Sequence, residues 1–290
     1  MAFHSPLRYP GGKGRLSVFM DQVIRGNNLT GGDYVELYAG GAGIAITLLL
    51  SGVVRRVHIN DLNPSIHAFW DSAINSTEAL CRLIDETPIT MEQWHIQKEI
   101  QLTREIDPLQ LGFSTFFLNR TNRSGIISAG VIGGKKQNGV YKLDARYNKK
   151  DLIERIQRIG AVSNRISLYR HDASDFIKNT LPTLPECSLV YLDPPYYNKG
   201  KELYQNHYEH KDHENIAKLI DRIKQPWLIT YDNVDEIREI YSDHRTTDFA
   251  LNYSAQKSYK GSELLIAKQG LTLPPTVQPT RASLTPVPES

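Results

Sequence analysis

An α/β fold with a mostly parallel sheet is predicted by three features of the chain. Short apolar runs of strand length alternate with stretches of helical spacing. The run Tyr34-Val35-Glu36-Leu37-Tyr38 passes through Ala39-Gly40-Gly41-Ala42-Gly43 into the apolar stretch Ile44 to Leu50, which reads as strand, glycine turn and helix. Another run, Leu189 to Leu192, ends at Asp193-Pro194-Pro195-Tyr196, where two prolines fix φ and remove two backbone donors, so the strand must stop. The 290 residues can bury the core of one large domain, with room for an insert. No apolar run approaches the ~18 residues needed to span a bilayer. The start, Met1-Ala2-Phe3-His4-Ser5-Pro6, lacks a charged segment followed by an apolar one, so a cytoplasmic protein without a membrane partner is expected. Cys81 and Cys187 lie far apart, which predicts neither a disulfide framework nor a structural zinc site.

The first helix is expected after Arg8-Tyr9-Pro10-Gly11-Gly12-Lys13, where Leu16, Phe19, Met20, Val23 and Ile24 recur at helical spacing. Amides at such a start favour an anionic group, and Lys13 adds a charge beside them. It is not a Walker loop, which would need glycine at Leu7 and a hydroxyl at Gly14. In the next unit Gly40 and Gly41 permit a tight turn and the approach of a ligand to the backbone. A strand from Val53 to Ile59 follows and ends at Asn60-Asp61, with Asp61 placed where such folds hold ribose hydroxyls. A dinucleotide fingerprint begun at Gly41 would need a small residue at Ile46, so nicotinamide binding is disfavoured. Glu36 would repel a pyrophosphate but could accept from an ammonium group. The ligand implied carries ribose and an amine rather than a diphosphate.

From Ser65 to about Glu105 the pattern is helical with a break at Pro88, and Trp94 is read as core. Leu111 to Leu118 then runs into Asn119-Arg120-Thr121-Asn122-Arg123-Ser124-Gly125. Arginine and asparagine read guanine and adenine edges, so Arg120, Asn122 and Arg123 are candidates for base contact. The stretch around Gly130, Gly133, Gly134 and Gly139, with Lys135 and Lys136, has the composition of a mobile loop that grips a nucleic-acid backbone. The net charge is only +2, yet Leu118 to Arg170 holds 12 Lys and Arg against three acids and is +9 by itself. That asymmetry points to a polyanion.

A helix through Leu152, Ile153, Ile156 and Ile159 leads to a strand from Arg165 to Arg170. Asp172 and Phe176 follow it, placed to flank a purine ring at the carboxyl edge of the sheet. At the next edge, Asp193, the Pro194 carbonyl and the Tyr196 ring offer two acceptors and a stacking face within four residues, which suits a planar base with an exocyclic amine. His207, His210 and His213 match no usual metal-ligand spacing, and no metal is expected. Asp212 is read as the cap of a helix through Ile216, Leu219, Ile220 and Ile223. Strands are expected at Trp227 to Tyr231, Thr246 to Leu251 and, after a polar loop, Glu263 to Ala267. From Gly270 the chain is rich in Pro, Thr and Ser and is read as a disordered tail.

Taken in order, Arg8 to Lys13, Glu36 to Gly43, Asp61, Asp172 and Asp193 to Tyr196 resemble the Dam-type (D12 class) DNA adenine N6-methyltransferases, nearly the whole chain to about residue 268. Phe116-Phe117-Leu118-Asn119-Arg120 and Glu263-Leu264-Leu265 resemble further segments of that family. The resemblance implies a Rossmann-like methyltransferase sheet whose last strand is antiparallel, S-adenosyl-L-methionine as cofactor and double-stranded DNA as partner, acting as a monomer. It implies a catalytic domain made of residues 1–70 and 160–270, a largely helical target-recognition insert at 71–159 and a tail at 271–290. Cofactor contacts are implied at Tyr9, Lys13, Glu36, Tyr38, Gly40, Gly41, Asp61, Asp172 and Phe176, catalytic ones at Asp193, Pro194 and Tyr196. Methylases of RNA or of protein glutamine use related turns and are the nearest alternatives. A DNA-binding module with a vestigial cofactor site is the alternative from another class.

Overall fold

The computed structural model describes residues 4–8, 16–198, 208–255 and 257–274, side chains at 249–262 excepted. Tyr9, Lys13, His207 and most of the expected tail lie outside them. Seven strands form one sheet in the order β3-β2-β1-β4-β5-β7-β6. They are β1 (Asp33–Glu36), β2 (Arg56–Asn60), β3 (Ile166–Tyr169), β4 (Leu189–Leu192), β5 (Trp227–Asp232), β6 (Arg245–Ala255) and β7 (Lys257–Ala267). β1 to β5 pair in parallel, and β7 runs antiparallel to both β5 and β6. The expected strands and the antiparallel last strand are therefore present. Where a polar loop was expected after Leu251, the hairpin ladder continues, pairing Ala250 with Ser262 and Ala255 with Lys257.

Alternation along the central strands explains why the sheet is covered on both faces. Tyr34, Leu189, Tyr191 and Leu228 join one buried cluster, while Val35, Val190, Leu192 and Ile229 join the other. The first cluster takes in α1 (Ser17–Gly26), α2 (Gly43–Leu50), α3 (Pro64–Asn75), α4 (Thr77–Glu86), α5 (Met91–Ile100), α6 (Pro108–Thr121) and α7 (Lys149–Gly160). The helices of the 71–159 segment thus share one core with the sheet. α6 is buried on every side from Gly112 to Thr121. A Cβ at Gly112 would collide with the Ser72 hydroxyl and the Ala68 carbonyl of α3, so glycine sets how closely the two helices cross. Trp94 is core, as expected, and donates from Nε1 to Asn122 Oδ1 at 2.7 Å.

The second cluster contains the helix His210–Ile220. Its cap is Glu209, three residues before the expected Asp212. Asp212 is the other half of a capping box, its carboxylate accepting from the Glu209 amide at 2.8 Å. Among the described residues no helix is long and apolar enough to cross a membrane.

Candidate active site

The parallel strands end on one edge of the sheet, and strand order reverses between β1 and β4, which opens a crevice at their carboxyl ends. Three loops there are tied together by Asn60. Its Nδ2 donates to the carbonyls of Leu37 and His171, both at 3.0 Å, and its Oδ1 accepts from the His171 amide at 2.8 Å. The glycine turn is fixed further by Trp70 Nε1, which donates to the Gly40 carbonyl at 2.8 Å, and by the Ser5 hydroxyl, which donates to the Gly41 carbonyl. Gly40 has φ 45° and Ala42 φ 42°, left-handed values that the sharp entry into α2 requires.

Asp61 joins this loop. Its Oδ2 accepts from the Gly40 amide at 2.8 Å and its Oδ1 from the Asn63 amide at 2.9 Å. Each oxygen retains a further lone pair for a ligand hydroxyl, and the residue is half-buried. Burial, opposed by those two amides, pushes its carboxyl up to about 6. Glu36, buried at the end of β1, accepts from the Ala45 amide at 3.2 Å. Burial first, then the neighbouring Asp193 and Asp61, push its carboxyl up to about 8 against the effect of that amide. Gathered carboxylates of this kind fit a ligand with a cationic centre and hydroxyls, as a sulfonium nucleoside has, and would repel a polyphosphate. The Tyr38 and Tyr208 hydroxyls meet at 2.8 Å beside this edge.

Asp172 caps a short turn by accepting from the Ser174 amide at 2.9 Å. Phe176 stands differently from the expectation. It is wholly buried, edge-on to Tyr169 with ring centroids 5.1 Å apart, so in this structure it packs the core and offers no face to a ligand.

At the end of β4, Asp193 Oδ1 accepts from the Thr230 hydroxyl of β5 at 3.0 Å. That hydroxyl has one proton, so the 2.7 Å contact between Tyr191 and Thr230 must have the tyrosine as donor. Tyr191, Thr230 and Asp193 form a directed relay that sets the plane of the carboxylate. Tyr196 is buried, and its hydroxyl donates to Glu263 Oε1 of β7 at 2.6 Å. Asp232 accepts from the amides of Tyr197 and Asn198 at 2.9 and 3.1 Å and fixes the chain just past the turn. Thr230, Asp232 and Glu263 were not identified from sequence as site residues. Their signal is only that each sits at or near the same sheet edge, visible once β5 and β7 are paired. His213 is buried with Nδ1 3.0 Å from the Tyr231 hydroxyl, and burial lowers it to about 4.

The residues expected to read bases divide sharply. Asn122 is wholly buried. Its Oδ1 is taken by Trp94, and its Nδ2 donates to the carbonyls of Ile126 and Ile127 at 3.1 and 2.8 Å, so it has no group to present to DNA. Arg120 is buried too and donates to the Pro6 carbonyl. Burial, then the neighbouring Arg155 and Arg8, lower its guanidinium to about 9. Asn119 accepts from the Arg8 amide at 2.7 Å and donates to the Arg8 carbonyl at 2.5 Å and to that of Gly125 at 2.8 Å. This amide-rich end of α6 clamps residues 5–8 and so fixes the chain entering the Tyr9 to Lys13 segment. Arg123, Lys135 and Lys136 are exposed.

A family model described as D12 class N6 adenine-specific DNA methyltransferase matches residues 9–257. No curated protein matches the chain. Similar solved structures include a putative RNA methyltransferase from Pyrococcus horikoshii, 10% identical with a TM-score of 0.42, covering 90% of this chain and 84% of that one. An rRNA methyltransferase from Streptomyces viridochromogenes is 12% identical with a TM-score of 0.39, covering 89% and 86%. The family match spans the glycine turn, Asp61 and the Asp193 turn, and the chain belongs to the D12 class of N6 adenine-specific DNA methyltransferases, with S-adenosylmethionine as its cofactor.

Proposed function

We propose that the protein methylates N6 of adenine within a specific word of double-stranded DNA, on a base turned out of the duplex. The observation that carries this reading is the relay from Tyr191 through Thr230 to Asp193, which orients an anionic acceptor at the end of β4, next to the strand that bears the glycine turn. S-adenosylmethionine supplies an electrophilic methyl carbon on a sulfonium. Adenine N6 is a poor nucleophile because its lone pair is delocalised into the ring. Asp193 and the Pro194 carbonyl accept its two N–H groups, favour a nitrogen that bears its lone pair, and stabilise the positive charge that grows there. Asp193 acts electrostatically, and the proton can leave after transfer. Tyr196 stacks on the base, its ring plane held through the hydroxyl by Glu263.

Glu36 and Asp61 hold the cationic and ribose parts of the cofactor, with Tyr38, Gly40, Gly41 and Asp172 around them; Tyr9 and Lys13 serve its methionine end. Residues 71–159 carry target recognition, with Arg123, Lys135 and Lys136 toward the DNA, and residues 1–70 with 160–270 carry the chemistry. The test is transfer of tritiated methyl groups to duplex DNA followed by digestion to nucleosides. Label in N6-methyladenine is expected; label confined to RNA or to protein glutamine would overturn the reading. Long-read sequencing of DNA from expressing cells then identifies the word.

A further inference from the structure

The helix His210–Ile220 has its first turn fixed by the Glu209–Asp212 capping box. On that turn His213 is wholly buried, and its Nε2 has no hydrogen-bond partner. An orphaned buried nitrogen costs about 1–3 kcal/mol and calls for an explanation. Burial lowers the side chain to about 4 against the pull of Asp232 and Asp212, so the ring is neutral at pH 7.

The ring meets three pieces of the site. Its Nδ1 lies 3.0 Å from the hydroxyl of Tyr231. That residue stands on β5 between Thr230, which donates to Asp193, and Asp232, which accepts from the amides of Tyr197 and Asn198. The ring also packs against Tyr197, the residue after the Asp193–Tyr196 turn, with centroids 5.2 Å apart and planes tilted by 45°. It meets Tyr208 edge-on at 5.3 Å. The Tyr208 hydroxyl reaches that of Tyr38 at 2.8 Å, and Tyr38 leads directly into the glycine turn. A continuous path of rings, through Tyr197, His213, Tyr208 and Tyr38, therefore joins one turn to the other.

The paired ladder of β1 and β4 ends at Glu36 and Tyr191, closed by the Leu37 amide donating to the Tyr191 carbonyl at 3.1 Å. Past it, strand pairing no longer fixes the two turns against each other. In-line transfer needs the reacting atoms about 3–3.5 Å apart, and a misplacement of about 1 Å costs roughly a hundredfold. A buried aromatic spacer supplies that constraint. An imidazole does what a phenyl ring would not, because Nδ1 fixes the rotation of the ring through Tyr231.

We propose that His213 is a positioning residue for methyl transfer, a spacer that holds the Asp193 turn at its working distance from the glycine turn through Tyr197 and Tyr208. This rests on the assignment above of those turns to the adenine and to the cofactor. His213 acts through its neighbours, not on the reacting atoms.

The test measures single-turnover methyl transfer, with enzyme in excess over genomic DNA from cells that lack the protein, beside calorimetric affinity for S-adenosylmethionine. His213→Phe keeps a ring but no atom for Tyr231, and its rate should fall by about tenfold. His213→Asn keeps a polar atom near the place of Nδ1 but no ring, and its rate should fall by roughly a hundredfold. Cofactor affinity should stay within about twofold of wild type in both, since the alignment matters only when base and methyl meet. Tyr208→Phe cuts the same path at its bond to Tyr38, so adding it to His213→Asn should lower the rate little further. Cofactor affinity that falls in step with the rate, a Tyr208 loss that adds in full, or a wild-type rate in either His213 variant would overturn the proposal alone. Wild-type protein that labels no adenine would overturn the underlying assignment and the proposal with it.

Discussion

Glu36 is the buried carboxyl whose charge state the proposed cofactor contact would change. Its carboxyl is held up to about 8 by burial and by the neighbouring Asp193 and Asp61, so near neutral pH the free protein keeps it mostly protonated. A group raised in the folded state contributes stability below its unfolded value, and that contribution is lost as pH rises through about 8. A cationic ligand favours the ionised form, so binding of S-adenosylmethionine at pH 7 should release a proton. Calorimetry in buffers of different ionisation heat should detect that release in the wild type and much less of it in Glu36→Gln. Equal release from both would place the cationic centre elsewhere. At the neighbouring strand, Asp193→Ala should lower kcat by about a hundredfold or more, as loss of a transition-state contact does, while cofactor binding persists. Thr230→Val keeps the carboxylate but removes the hydroxyl that orients it. Single-turnover rates should fall by about tenfold, a general consequence of misplacing a reacting group, with cofactor affinity unchanged.

The elements differ in how much of them could be read from sequence, and the difference has a physical basis. β1, β4 and the turns that end them were legible because a buried strand is a short apolar run, and glycines and prolines mark its end within a few residues. The roles at the end of α6 were not. Asn119, Arg120 and Asn122 have the chemistry of base readers, but their partners are Arg8 and Pro6, more than a hundred positions away, together with Trp94 and the turn that follows. Composition cannot distinguish an amide that reads a base from one that pins a strand. Phe176 misled in the same way, since an aromatic beside a sheet edge can face the crevice or the core, and here it faces the core. The α3–α6 crossing was equally hidden, because Gly112 reads as a weak point in a helix until the Ser72 side chain is seen against it. Gly112→Ala should therefore destabilise the protein by about 1–3 kcal/mol through overpacking, despite alanine's better helix propensity. Thermal unfolding measures this; a rise in Tm would mean that α3 yields to the added methyl.

At the scale of the whole molecule, the question is how much of the +9 segment is available to DNA. Twelve Lys and Arg lie between Leu118 and Arg170. Several already serve the fold. Arg120 donates to Pro6, Lys142 to Gln137, Lys149 to the carbonyls of Asp85 and Thr87, and Arg165 to those of Val54 and Arg55. Arg155 pairs with Asp151 at 2.9 Å, and Arg158 faces Glu154 at 3.9 Å. Beyond these, Arg123, Lys135, Lys136, Arg146, Lys150 and Arg170 form the exposed set not engaged in such contacts. If every cation in the segment met a phosphate, the slope of log K against log salt would be about −11; the exposed set limits it to about −5. Fluorescence anisotropy with a duplex carrying the target word, titrated across salt, should give a slope near −4 to −5. Replacing both Lys135 and Lys136 with alanine should make it shallower by about 2 and weaken target and non-target duplexes alike. A wild-type slope near −11 would mean that the cations bound to backbone carbonyls leave them for DNA, and with them the packing of α6 and α7. A slope that the double variant does not change would place the phosphate contacts off the Lys135–Lys136 loop, on a face that presents Lys150 or Arg170.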